Sequence, residues 1–401
     1  MSKQSKIRTE DVAPPPVTEA IQHGVYPDMV HDERARFNFQ ACLYKAISSE
    51  VSPGNPLTYD KRVLPKFKKE HGRVPKSRHE VRRAMTNDPF HNFWGALRRN
   101  TMEMRQVNGQ LVTLRQLDRL AKRADKINTD SDRLILDDTL EIPYYVAEVD
   151  HHCMPGSYYR ELVPGDVSQA ANYDAGFFVT TGGSIGGLCD GGGKAVVNWL
   201  KTTYPDFLPK RVLDIGTALG NTLLPLAQAF PDTEFVALDI SAPMLRYGHA
   251  RAMSLGIKNI TFVQKNGEDL SDFDPGEFDM VMTSIFLHEL SSKALPKVLS
   301  EGYRVLAESG LMLHLEQPQY SEAMPFYEQY MRDWDSYNNN EPFWSAMHET
   351  DLIALLSDVG FDASEVRVAS LKGVSDYAEG QGPTSTEHGR APDWHAYVAQ
   401  K

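Results

Sequence analysis

The 401-residue chain is long enough for about two domains, and 41% hydrophobic against 24% charged residues is the balance of a globular protein with a sizeable core. No apolar run approaches the ~18 residues of a membrane span, residues 1–20 lack the apolar stretch of a secretory signal, and Cys42, Cys153 and Cys189 are too scattered for a disulfide framework or zinc knuckle; a cytoplasmic protein with no membrane partner is expected. The net charge of −12 is uneven, with 18 Lys/Arg against 7 Asp/Glu in residues 60–126 and 24 against 47 elsewhere.

In chain order, Pro14, Pro15 and Pro16 mark residues 1–20 as a flexible arm. Residues 31–50 have helical spacing and end before the Ser52-Pro53-Gly54 turn; 76–107 and 111–127 also read as helices. The basic 60–126 stretch suits either a nucleic-acid-binding lobe or a helical lobe docked on acidic partners, and no nucleic-acid motif accompanies it. Residues 151–192, rich in Gly and aromatics, read as a loop-rich lid that completes a mainly helical lobe over 21–189.

From 190 onward strands and helices alternate. RVLDIG, EFVALDI, ITFVQK, FDMVMTSI and GLMLHLEQ are short apolar strands separated by helical segments. One of these helices starts with Ser241 as N-cap and Pro243 in its first turn. A helical insertion fills 321–358, then VRVASL and WHAYVAQ supply two more strands, the last antiparallel at or near an edge. The expected fold is α/β over 190–401: a seven-stranded, mostly parallel Rossmann-like sheet with helices on both faces.

The turn after the first of these strands is where an open α/β sheet binds ligands. In RVLDIGTALGNTLLPLAQAF a dinucleotide loop G-x-G-x-x-G would need glycine at 218 and 221, which hold Ala218 and Asn221. The pattern acidic-x-G-x-G-x-G fits better: Asp214, Gly216 and Gly220 match and Ala218 alone departs. That spacing resembles motif I of the class I S-adenosylmethionine-dependent methyltransferases, with Ala218 tolerated if its φ is negative. The resemblance runs over about 190–320. It implies S-adenosyl-L-methionine as cofactor, held by Asp214, Gly216, Thr217, Ala218 and Gly220. Asp239 would accept from the ribose hydroxyls, with Ile240 and Met244 nearby. Asn266 would accept from the adenine amino group, Gly267 or Glu268 would donate a backbone N–H to the ring, and Thr283, Ser284 and Ile285 would lie beside the methionine end.

Methyl transfer is an in-line displacement, so the protein mainly positions the acceptor and excludes water. His288, with Glu289, follows the fourth strand near the transfer point and can deprotonate a hydroxyl; both residues can equally be structural. His314, between Leu313 and Leu315, reads as structural. His152, Tyr158, Tyr159, Tyr173, Glu316 and Trp344 are candidates to contact the acceptor. The segment 324–344 has seven aromatics in 21 residues, which suits a pocket wall, a lobe seam or a homodimer contact. Metal binding by His151, His152 and Cys153 is not expected, because adjacent residues rarely converge on one ion and no second cluster is evident. The reading is therefore a methyltransferase of a small organic acceptor, by O-, N- or C-methylation. Its rivals are an RNA or protein methyltransferase using the 60–126 segment, a non-catalytic protein of the same fold, and a nicotinamide enzyme disfavoured by the loop spacing.

Overall fold

The computed structural model describes residues 20–374 and 393–401; the expected arm at 1–20 falls almost wholly outside them. The described strands form one mixed sheet: β1 (Leu134–Ile135), β2 (Arg211–Ile215), β3 (Glu234–Asp239), β4 (Ile260–Gln264), β5 (Phe278–Ser284), β6 (Leu306–Leu315), β7 (Arg367–Lys372) and β8 (Asp393–Gln400), in the order β1-β4-β3-β2-β5-β6-β8-β7. Pairing is parallel from β1 through β6, and β8 runs antiparallel to both β6 and β7. Eight strands replace the expected seven. The extra one, β1, comes from the lobe and sets Leu134 opposite Phe262. Two residues carry no periodicity, so only β4's exposed edge selects them as strand.

The strands are apolar because both faces are covered. Val212, Phe235, Phe262, Met280 and Leu313 pack with Val196, Leu200 and Leu224 on one side; Leu213, Val236, Val281 and Met312 pack with Leu295, Leu299 and Leu356 on the other. Between Phe278 and Met280 the partner register on β6 jumps from Leu306 to Leu311, so Glu308-Ser309-Gly310 is a bulge inside the strand, with Ser309 at φ +63°.

The lobe is mainly helical, as expected, but its boundaries differ. Pro89–Leu114 is one helix of 26 residues, started by Asp88, whose carboxylate accepts from the N–H groups of Phe90 and His91. Gly109 does not break it. A Cβ there would lie 1.7 Å from Asn172 Oδ1, so the glycine permits close approach of the helix Ser168–Thr180. That second helix corrects the reading of 151–192 as loop: small residues Ala170, Ala171, Ala175 and Gly176 bury it. Buried contacts among Leu120, Val167, Ala171, Leu219, Met244 and Tyr247 join lobe to sheet.

Much of the 60–126 charge is neutralised internally. Arg62 pairs with Asp88, Arg78 with Asp333 and Glu349, Arg98 with Asp335, Arg115 with Glu33, and Arg119 and Arg123 with Asp28. Arg78 and Arg98 reach across to the 321–358 insertion.

Candidate active site

The strand order reverses at β2, flanked by β3 and β5, and a cavity of about 470 Å³ opens at the carboxyl ends of these strands. It is walled by the turns after β2, β3, β4 and β5 on one side and by the lobe on the other.

The β2 turn is pinned to β3. Gly216 and Thr217 donate to the Leu238 carbonyl at 2.8 and 3.0 Å, and Ala218 N–H donates to Asp239 Oδ2 at 2.8 Å. Gly216, at φ +76°, lies so close to Phe286 that a Cβ would fall 2.2 Å from the ring. Ala218 adopts φ +47°, correcting the expectation of a negative angle: the Asp239 bond holds it in the left-handed region that costs an L-residue about 1–2 kcal/mol. Gly220, at φ +74°, closes the turn by donating to Thr217 O at 2.8 Å. It does not line the cavity, so it shapes the loop rather than contacting a ligand.

Asp239 Oδ1 accepts from Ser241 N–H at 2.9 Å, so each carboxylate oxygen already holds one backbone donor and keeps a lone pair for a ligand. Burial lifts its carboxyl to about 6, and burial lifts Asp214, with the charge of Asp239 adding, to about 7. Asp214 Oδ1 and Thr217 Oγ1 are buried without a hydrogen-bond partner. These are the marks of a site shaped for a polyhydroxylated, partly polar ligand.

Ile240, Met244, Asn266, Gly267, Ser284 and Ile285 also line the cavity. Glu268 and Thr283 do not. The Glu268 N–H is taken by Asn266 Oδ1 at 3.0 Å and its carboxylate by Lys297, which leaves Gly267 as the backbone donor. Thr283 is buried in β5, where its hydroxyl meets His314 Nδ1 at 2.8 Å. Ile285, a β-branched residue at φ +50°, turns the chain sharply out of β5.

That turn delivers His288 and Glu289 on a short helical turn, Leu287–Glu289. His288 Nδ1 meets Glu316 Oε1 at 2.8 Å, and Nε2 is buried without a partner. Burial disfavours the imidazolium, but the Glu316 carboxylate overcomes this and raises His288 to about 9. Glu316, at the end of β6, is itself buried and does not line the cavity. It is therefore the partner that orients His288, not an acceptor contact. Trp344 packs edge-on against the His288 ring at 4.6 Å.

From the lobe, His152, Tyr158, Tyr159 and Tyr173 all reach the cavity. Tyr158 donates to Glu289 Oε1 at 2.8 Å, while Tyr159 donates to Ala147 O at 2.9 Å. His152 Nδ1 lies 2.5 Å from Glu341 Oε1 and its Nε2 3.5 Å from Glu289 Oε1. Burial opposes its charge, yet the two carboxylates raise it to about 10. His151 Nε2 lies 3.8 Å from Glu289 Oε2. Adjacent histidines thus do converge, because His152 and Cys153, at φ +53° and +55°, fold the chain back on itself.

The sequence reading missed Arg98, Arg105 and Glu341 at the site. All three are buried, and both arginines line the cavity, as does Asn339 of the 324–344 segment. Arg98 and Arg105 sit seven residues apart on one helix, a spacing that puts both on one face, but nothing local separates buried arginines from solvated ones. Glu341 follows three asparagines in a segment with no regular pattern.

Residues 212–310 match a family model described as a methyltransferase domain. The chain is 34% identical over 110 residues to a demethylmenaquinone methyltransferase of Thermus thermophilus, covering 27% of this chain and 48% of that protein. It is 32% identical over 154 residues to an uncharacterized methyltransferase of Synechocystis, covering 38% and 66%. Against a ribosomal RNA small subunit methyltransferase of Psychromonas ingrahamii it is 37% identical over 89 residues, covering 21% and 42%. The chain thus spans roughly half the length of the curated relatives it matches. A crystal structure of an S-adenosylmethionine-dependent methyltransferase of Aquifex aeolicus superposes with a TM-score of 0.33 at 18% identity, over 50% of this chain and 87% of that one.

Proposed function

We propose that this chain, which carries a class I S-adenosylmethionine-dependent methyltransferase domain, methylates a small organic acceptor held between the sheet and the helical lobe. The observation that carries this reading is one cavity, about 470 Å³, shared by the β2 turn, by lobe residues such as Arg105 and Tyr173, and by Trp344 of the 321–358 insertion. Its size falls in the range of small-molecule sites, and a polymer would need an open groove. The matching division is a lobe over 21–189 and a transferase domain over 190–401, with β1 lent by the lobe.

The residues present fit the cofactor. Asp239 offers lone pairs to the ribose hydroxyls, Asn266 and Gly267 would hold the adenine edge, and Gly216 lets the backbone come close. Bound there, the cofactor supplies the electrophilic methyl group. The rest falls to the protein. Aromatic side chains exclude water from the transfer point. Arg105, buried and without an ion pair among the described residues, suits an anionic or carbonyl group of the acceptor. His288 Nε2 takes the acceptor proton, while Glu316 at Nδ1 stabilises the imidazolium that results. Because His288 is raised to about 9, its basic form grows as pH rises toward that value.

Calorimetry with S-adenosylmethionine tests the cofactor, and a labelled-methyl assay on metabolite pools tests the acceptor; a protein that does not bind the cofactor sinks the proposal. The alternative, an RNA or protein target held by residues 60–126, predicts RNA binding that falls steeply between 50 and 200 mM salt, by ~10³–10⁵ if 6–10 phosphates are contacted. The ion pairs that consume those arginines weigh against it.

A further inference from the structure

We infer that His152, Glu289 and Glu341 bind a first-row divalent transition-metal ion in the cavity wall. One ligand atom from each lies within 4.8 Å of the others. Metal–ligand bonds of about 2.0–2.2 Å put tetrahedral donors ~3.4 Å and cis-octahedral donors ~3 Å apart, so the three side chains close in by about an ångström or more on binding the ion. Two further polar atoms point into the cluster unsatisfied: Glu341 is fully buried with no partner for Oε2, and His151 is fully buried with no partner for Nε2, 3.8 Å from Glu289.

The donor set suits a cation: the carboxylates of Glu289 and Glu341 both lie against the His152 ring, at 3.5 and 2.5 Å from its two nitrogens. An outer ring is also in place, with Tyr158 donating to Glu289 Oε1 at 2.8 Å and Asn339 Nδ2 lying 3.4 Å from Glu341 Oε1. Imidazole mixed with carboxylate favours zinc, iron(II) or manganese over magnesium or calcium. The remaining positions of the ion would face the cavity, where an oxygen atom of the acceptor can complete the shell and lose its proton more easily. That last consequence rests on the methyltransferase reading; the site itself does not.

The test uses the full chain, stripped with chelator. Mn²⁺ is titrated by electron paramagnetic resonance and Zn²⁺ by calorimetry, with S-adenosylmethionine binding measured separately. One equivalent of either ion per chain is expected. Glu341→Gln and His152→Ala should each weaken binding by more than the ~10–100-fold that loss of an outer partner costs, while His31→Ala, at an exposed histidine, should leave it unchanged. Absence of one-equivalent binding overturns the inference. So does wild-type affinity in whichever of the two site variants folds, as judged by circular dichroism. Cofactor binding that persists while metal binding fails overturns the metal site alone.

Discussion

Asp239→Asn separates a cofactor-binding carboxylate from a structural one. In the native turn the two carboxylate oxygens accept from Ala218 and Ser241 at 2.8 and 2.9 Å. The asparagine amide has one oxygen for these two donors, so one buried N–H loses its partner, at about 1–3 kcal/mol of stability. Its effect on the cofactor is separate. A hydrogen bond to a charged group contributes about 1.5–3 kcal/mol, so losing that charge should weaken S-adenosylmethionine binding roughly 10–150-fold.

The effect also depends on pH. Burial raises the Asp239 carboxyl to about 6, and the ribose hydroxyls favour its ionised form. Wild-type affinity should therefore fall, by up to ~10-fold per pH unit, as pH drops through about 6. Asp214, at about 7 in the wild type, loses the Asp239 charge that helps raise it and so titrates lower in the variant, which adds to the difference between the two proteins. The variant-to-wild-type ratio of Kd should be largest above pH 7 and shrink toward pH 5, read by calorimetry across that range. A folded variant within threefold of wild type at pH 8, or a ratio constant with pH, refutes the reasoning.

Gly216→Ala should lower both melting temperature and cofactor affinity. It sets a Cβ 2.2 Å from Phe286 at φ +76°, costing about 1–2 kcal/mol of backbone strain and about 1–3 of overpacking; an unchanged melt contradicts the packing. Ala218→Gly should be neutral to stabilising by about 1 kcal/mol, since relief of the φ +47° strain outweighs glycine's extra chain entropy, and a urea midpoint that drops would show the alanine to be unstrained. Glu316→Gln removes the group that raises His288 to about 9. In the wild type this pair contributes stability fully below the unfolded value of about 6.5, lost as pH rises through about 9. Melts from pH 6 to 10 should show that loss in wild type and not in the variant, while the rising limb of the pH–rate profile, set by deprotonation of His288, moves to lower pH.

The parallel strands, the helices between them and the cofactor turn were legible because each is encoded locally. Apolar runs bounded by turns, the spacing of Asp214, Gly216 and Gly220, and a carboxylate closing the next strand are short-range patterns that physical chemistry ties to one geometry. The lobe was less legible. Helices read over 76–107 and 111–127 leave a gap that Pro89–Leu114 runs straight through, with Gly109 packed on Asn172, and Ser168–Thr180 reads as loop because its small residues serve a packing partner distant in sequence. The same holds within the site. Sequence alone brought forward His288, Glu289, His152 and Tyr158, but not which faces which. Glu316 became the support of His288, Thr283 withdrew into β5, and Glu341 arrived beside His152 from 189 residues away. Those pairings belong to tertiary structure, because a buried charge is identified by the partner that neutralises it, and that partner is set by how distant segments pack.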